Sequence, residues 1–234
     1  MKKMIKLTAI AMAMVMMFPN AAMASRKIND SAPIDLSESV RIEKTINNNA
    51  TVYTANANTK AEKEAAFEMI RALSGDPMAF GKNGNAGDLN GDVYEPNAPL
   101  APGQSEYHND ERWHGSAYSY SWKRNTASTW ANNFEGGQST LWNGNGNCSY
   151  IILSESINVN GIAVSVSWPP AISGSSSSGS WTSQPIYSNV AGSSFTGLTV
   201  GWSATSVTFS DGGDVYVGNS IYRPYTYIKF SFFS

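Results

Sequence analysis

Strict alternation of side-chain character constrains this chain more than any other feature. Ile162-Ala163-Val164-Ser165-Val166-Ser167-Trp168 alternates apolar residues with serine, and Tyr225-Thr226-Tyr227-Ile228-Lys229-Phe230-Ser231-Phe232 does the same near the end. Ala117-Tyr118-Ser119-Tyr120-Ser121-Trp122 alternates small and aromatic side chains. Period two predicts strands with one face buried and one solvated. Shorter candidates are Tyr150–Ser154, Ser193–Val200, Ala204–Phe209 and Asp214–Val217. Clusters such as Asn145-Gly146 and Asp211-Gly212-Gly213 separate them. Many short strands with turn signals at close spacing predict a mainly β fold, an antiparallel β-sandwich or barrel, over residues 105–234. The serine-rich run Ser173–Ser180 reads as a flexible loop.

Charge divides the chain in two. After Arg124 the only basic residues are Arg223 and Lys229, and the only acids are Glu135, Glu155, Asp211 and Asp214. All seven Trp lie from Trp113 onward. The polar side of the expected strands is therefore serine and threonine, which hydrogen-bond without creating a field and suit a neutral partner such as a sugar.

Residues 25–104 have a different character. Val40, Ile42 and Ile46, then Asn47-Asn48-Asn49, then Thr51–Thr54 outline a short hairpin. Thr59-Lys60-Ala61-Glu62 is a capping box. Phe67, Ile70 and Leu73 follow at helical spacing, and Gly75 and Pro77 stop the pattern. These signals predict one short amphipathic helix over about residues 60–74, whose apolar face must dock to persist. Residues 81–104, rich in Gly, Asn and Pro, read as a linker or surface loop in which a propeptide boundary could lie.

The first residues carry an export signal. Lys2, Lys3 and Lys6 make a basic start, Leu7 to Phe18 is apolar, and Ala22-Met23-Ala24 has the small-x-small pattern of a cleavage site. The apolar run falls short of the roughly 20 residues that span a bilayer. The expectation is a signal peptide over residues 1–24, a secreted or extracytoplasmic product, and no transmembrane segment in the mature chain. Removing those three lysines takes the net charge from −2 to −5. That mildly acidic balance gives no electrostatic footprint for nucleic acid. Cys148 is the single cysteine, so no disulfide can form within the chain, and it reads as a small buried residue.

Three groups of residues are candidates for chemistry. Asp88, Asn90 and Asp92 stand at alternate positions, as in the opening of a calcium loop that offers hard oxygen donors. The loop is incomplete: Val93 occupies the place of the turn glycine and Pro99 that of the last carboxylate. Calcium is thus the one cofactor the sequence suggests. His108 and His114, the only histidines, are six apart, which matches no zinc spacing. On a strand they would share a face about 20 Å apart. Trp130, Trp142 and Trp181 sit in Asn/Gly/Ser surroundings and are the aromatics expected to be exposed for ligand binding.

No G-x-S-x-G elbow, phosphate loop or dinucleotide fingerprint occurs. The leading expectation is a secreted, non-enzymatic β-sandwich that binds a neutral extracellular surface, glycan foremost. One alternative is an exported bacteriocin-like or pore-forming protein acting on membranes, suggested by the low-charge alternating strands. The other is a secreted hydrolase whose carboxylates meet only in space.

Overall fold

The computed structural model describes residues 40–79 and 100–232. The expected signal segment, most of the linker, and the calcium-loop residues Asp88, Asn90 and Asp92 lie outside the described residues. In chain order the elements begin with β1 (Arg41–Asn47), β2 (Ala50–Asn56) and α1 (Lys60–Leu73). Next come β3 (Ser105–His114), β4 (Ala117–Ala127), β5 (Ala131–Trp142) and β6 (Tyr150–Gly161). The short strands β7 (Val166–Ser167), β8 (Ser173–Gly174) and β9 (Ser178–Thr182) follow. The chain closes with β10 (Val190–Gly201), β11 (Ala204–Val217), β12 (Ser220–Tyr222) and β13 (Thr226–Ser231).

These strands form two antiparallel sheets, as expected of a β-sandwich. Sheet one has the order β1-β2-β10-β5-β4-β3, with β7 also paired to β10. Sheet two has the order β12-β11-β6-β9-β8, with β13 also paired to β11. The first hairpin turns at Asn48 and Asn49, both at positive φ (46° and 64°), a conformation asparagine tolerates well and a two-residue hairpin demands. From that turn Asn48 Nδ2 donates to the Thr182 carbonyl (2.7 Å), and Trp181 Nε1 donates to the Asn48 carbonyl (3.1 Å). The hairpin of sheet one is thereby tied to β9 of sheet two.

The layer between the sheets is apolar over most of its extent. Phe134, Leu198 and Val200 from sheet one meet Ile151, Leu153, Ile157, Val207, Phe209 and Phe230 from sheet two. At β13 the expected alternation is present: Thr226, Ile228 and Phe230 are buried, while Tyr227, Lys229 and Ser231 are exposed.

Helix α1 begins with both halves of its capping box. Glu62 N donates to Thr59 Oγ1, and Glu62 Oε2 accepts from Thr59 N. The helix lies on the outer face of sheet one, where Phe67 and Ile70 pack with Tyr53, Tyr120, Trp122 and Leu141. Gly192 on β10 permits the approach, since a Cβ there would stand 2.4 Å from Ile70 Cγ2.

This third layer leaves β4 without the solvated face expected of it. Its aromatic residues Tyr120 and Trp122 face the helix, and its serine-bearing side, Ser119, Ser121, Lys123 and Asn125, faces the other sheet and is also buried. Small polar residues read as a solvated face are here interior. Two other expectations are corrected. Most of Ile162–Trp168 is not a strand: only Val166 and Ser167 pair, Ala163 takes a positive φ of 52°, and Ile162 is 88% exposed. The serine-rich run is a loop only at residues 175–177; on either side it forms the paired strands β8 and β9, whose glycines Gly174 and Gly179 lie against the Trp168 ring.

Candidate functional site

Of the three tryptophans expected to be exposed, only Trp130 is, at 83%. Trp142 and Trp181 are each 5% exposed, which corrects that expectation. Trp142 ends β5, and its polar neighbours fold back over it: a Cβ on Gly144 would stand 2.1 Å from the ring. Trp181 is an inward residue of β9, whose serines are the outward ones. Polar neighbours in sequence thus mark the opposite face of a strand rather than exposure. His108 and His114 both lie on β3, paired with Lys123 and Ala117 respectively, and are not brought together. His108 Nε2 contacts Glu106 Oε1, and His114 Nδ1 accepts from Arg223 N. Among the described residues no three His, Cys, Asp or Glu side chains gather as a metal site.

The surface does carry a cleft with an ordered wall. It has a volume of about 150 Å³ and lies between the end of β2, the segment before β10 and the loop after β5. Ala55 to Asn58, Asn147 to Ser149 and Tyr187 to Asn189 line it, none of them carrying a charge at neutral pH. Buried Asn189 holds the wall together: its Nδ2 donates to the Ala57 carbonyl and to Asn147 Oδ1, both at 2.8 Å. Its Oδ1 accepts from Cys148 N (2.9 Å). Lys63 Nζ on α1 donates to the Gly146 carbonyl at 2.8 Å and the Gly144 carbonyl at 3.3 Å, fixing the loop.

Tyr187, 81% exposed, stands on the rim of this cleft. Its ring meets Tyr150 edge-on at 6.1 Å, and Tyr150 stacks on Tyr216 at 4.3 Å. Cys148 is half-buried, donates Sγ–H to the Ser188 carbonyl (3.1 Å), and burial pushes its thiol up to about 11. No feature of the sequence around Pro185-Ile186-Tyr187 had singled out that tyrosine.

The second place of interest is wholly interior. Lys123 projects from β4 toward sheet two and is fully buried. Its Nζ lies 2.7 Å from Asp211 Oδ2 on β11 and 3.3 Å from Glu155 Oε1 on β6. Phe195 and Phe209 flank the ammonium with ring centroids at 5.0 and 5.3 Å. Burial raises the Glu155 carboxyl to about 7, against the pull of Lys123 and with a contribution from Asp211. Burial raises Asp211 too, again with Lys123 opposing. Burial alone would disfavour the lysine charge, but the two carboxylates outweigh it and hold Lys123 above the ordinary value. One cation facing two ionised acids would leave a net negative charge where water does not reach; a protonated Glu155 makes the group neutral.

Parity betrays this triad in the sequence. Glu155 occupies the inward position in the series Ile151, Leu153, Glu155, Ile157, Val159, and Asp211 does so in Val207, Phe209, Asp211, Gly213, Val215. A carboxylate at a core-facing position of a strand needs a buried partner, and Lys123 is it.

Compared with known protein families, with curated proteins and with solved structures, the chain matches none.

Proposed function

We propose that this chain is an exported, non-enzymatic β-sandwich that binds a neutral, hydroxyl-rich ligand, a glycan, in the cleft beside Tyr187. The observation that carries this reading is the union of an uncharged, amide-lined wall with an exposed aromatic ring at its rim. A sugar ring presents apolar C–H faces and a girdle of hydroxyls. A tyrosine face accommodates the first, and Asn and Ser side chains that both donate and accept accommodate the second. The absence of charge in the lining favours a neutral ligand over an ionic one. The export signal of residues 1–24 supports an extracytoplasmic place of action. Among the described residues no helix is long and apolar enough to cross a membrane.

Retention of the full chain on insoluble polysaccharides and cell-wall preparations tests the reading. We expect retention on at least one neutral polysaccharide, and Tyr187→Ala to weaken it by about tenfold, or ~1.4 kcal/mol. Asn147→Ala should weaken it as well, while Trp130→Ala, away from the cleft lining, should not. Failure to be retained on any polysaccharide or cell wall would sink the proposal.

A further inference from the structure

A buried ion pair is ordinarily held by directional hydrogen bonds. The contact of Lys123 with Asp211 is close without that geometry. Nζ stands 2.7 Å from Oδ2, yet Nζ and both Asp211 oxygens lack a hydrogen-bond partner. The lysine stem lies across Gly136, its cross-strand neighbour, where a Cβ would stand 2.4 Å from Cδ and 3.2 Å from Nζ. Phe195 and Phe209 close the slot on the apolar side. An amine is thus packed against a carboxyl group in a buried pocket, with a second carboxyl within reach of the same nitrogen.

We propose that Lys123 and Asp211 condense to form an isopeptide bond between the two sheets, with Glu155 as the proton carrier. The reactive form arises when one proton passes from the ammonium to the Asp211 carboxylate, which exchanges an ion pair for an amine and an acid. Nζ then attacks Cγ, and the carbonyl electron pair moves to oxygen. Protonated Glu155 gives its proton to the departing hydroxyl, which leaves as water as the C=O re-forms. The Glu155 carboxylate takes the surplus proton from Nζ. One Nζ–Cγ bond has formed, one Cγ–O bond has broken, one water has left, and Glu155 ends protonated as it began. The step consumes no oxidant and no co-reactant.

Two features drive it. Packing holds the reacting groups at contact distance before reaction, which removes the entropic cost of bringing them together. Condensation also abolishes a cation and an anion together in a place where charge is poorly solvated. The product would join β4 to β11 in a chain whose one cysteine cannot close a disulfide. The inference is independent of what the cleft binds.

The test is the intact mass of the folded, purified full chain after denaturation, followed by tryptic mapping. We expect the chain to be lighter by one water than its sequence requires. We also expect no cleavage after Lys123, and a joined fragment holding Lys123 and Asp211. Lys123→Met, Asp211→Ala and Glu155→Gln should each have the full sequence mass. A wild-type chain of full mass overturns the proposal. So does a water loss confined to the Asp211-Gly212 peptide, which signals backbone cyclisation and leaves the two fragments separate. Should Glu155→Gln cross-link to the wild-type extent, the role of Glu155 is overturned. The wild-type mass and the joined fragment decide the bond itself even if a variant does not fold.

Discussion

Glu155 and Asp211 stand directly opposite each other on neighbouring antiparallel strands, two acids on one rung of sheet two. Like charges so placed repel. Only Lys123, reaching across from the other sheet, makes the arrangement tenable.

Lys123→Met should therefore destabilise the fold strongly, by about 3–5 kcal/mol, because it strands two buried carboxyls. Replacing all three residues with apolar ones of similar volume should recover most of that loss. Urea denaturation of the two variants checks both statements; equal stability of the single variant and the wild type would contradict the first.

The Glu155 carboxyl gives stability a pH dependence of definite sign. Its ordinary value is 4.5, and in the folded chain burial lifts it to about 7. The unfolded chain releases this proton first. The stabilisation from this group is complete below about pH 4.5 and is lost as pH rises through about 7. Denaturation midpoints measured across that interval should fall more steeply for the wild type than for Glu155→Gln. Parallel profiles would show that Glu155 is not responsible.

Gly136→Ala should fail for lack of room. The added methyl would lie 2.4 Å from Lys123 Cδ and 2.6 Å from the Trp122 carbonyl oxygen, and the latter is backbone and cannot swing away. A cost of about 1–3 kcal/mol is expected, as for other overpacked interiors. A thermal melt reads it, and an unchanged midpoint would mean that the strands part more easily than their packing implies.

Thr59→Ala removes one half of the capping box and should cost about 1 kcal/mol. Its particular signature is local: amide exchange should quicken in the first turn of α1 while the strands of sheet two keep their protection. Uniform loss of protection would argue that the helix and the sheets unfold as one unit.

Cys148 should behave as a sluggish thiol. Burial pushes it up to about 11, so little thiolate exists at pH 8. Alkylation of the folded chain should be much slower than that of the urea-unfolded chain, and should accelerate as pH approaches 11. Equal rates at pH 8 would show that the thiol is open and ordinary.

Much of the local structure could be read from residues in isolation. The capping box at Thr59 and Glu62 is a matter of four neighbouring residues, and the turn at Asn48-Asn49 of two. The alternation at β13 is faithful because one of its faces does meet solvent. Where local pattern and fold part, the reason is equally specific. Alternation on β4 implies inside against outside, whereas α1 covers one face and sheet two the other. The neighbours of Trp142 and Trp181 suggested exposure, but a folded-back loop and strand parity bury both rings. Lys123, Glu155 and Asp211 sit on three strands, and only the stacking of the sheets brings them together. Tyr187 is in the same position: its partners in the cleft come from β2 and from the loop after β5.

The strand order leaves β1 and β3 at the two ends of sheet one. Both ends are where this otherwise charge-poor sandwich concentrates its ions: Arg41, Glu43 and Lys44 on β1, and Glu106, Asp110, Glu111 and Arg112 on β3. An open edge is a template on which a second chain can add a strand, and from which fibrils grow. Ionised side chains along both rims would have to be desolvated or brought against their own kind for that to happen. Among the described residues the device is confined to sheet one, since the terminal strands of sheet two, β12 (Ser220–Tyr222) and β8 (Ser173–Gly174), carry no ionised side chain.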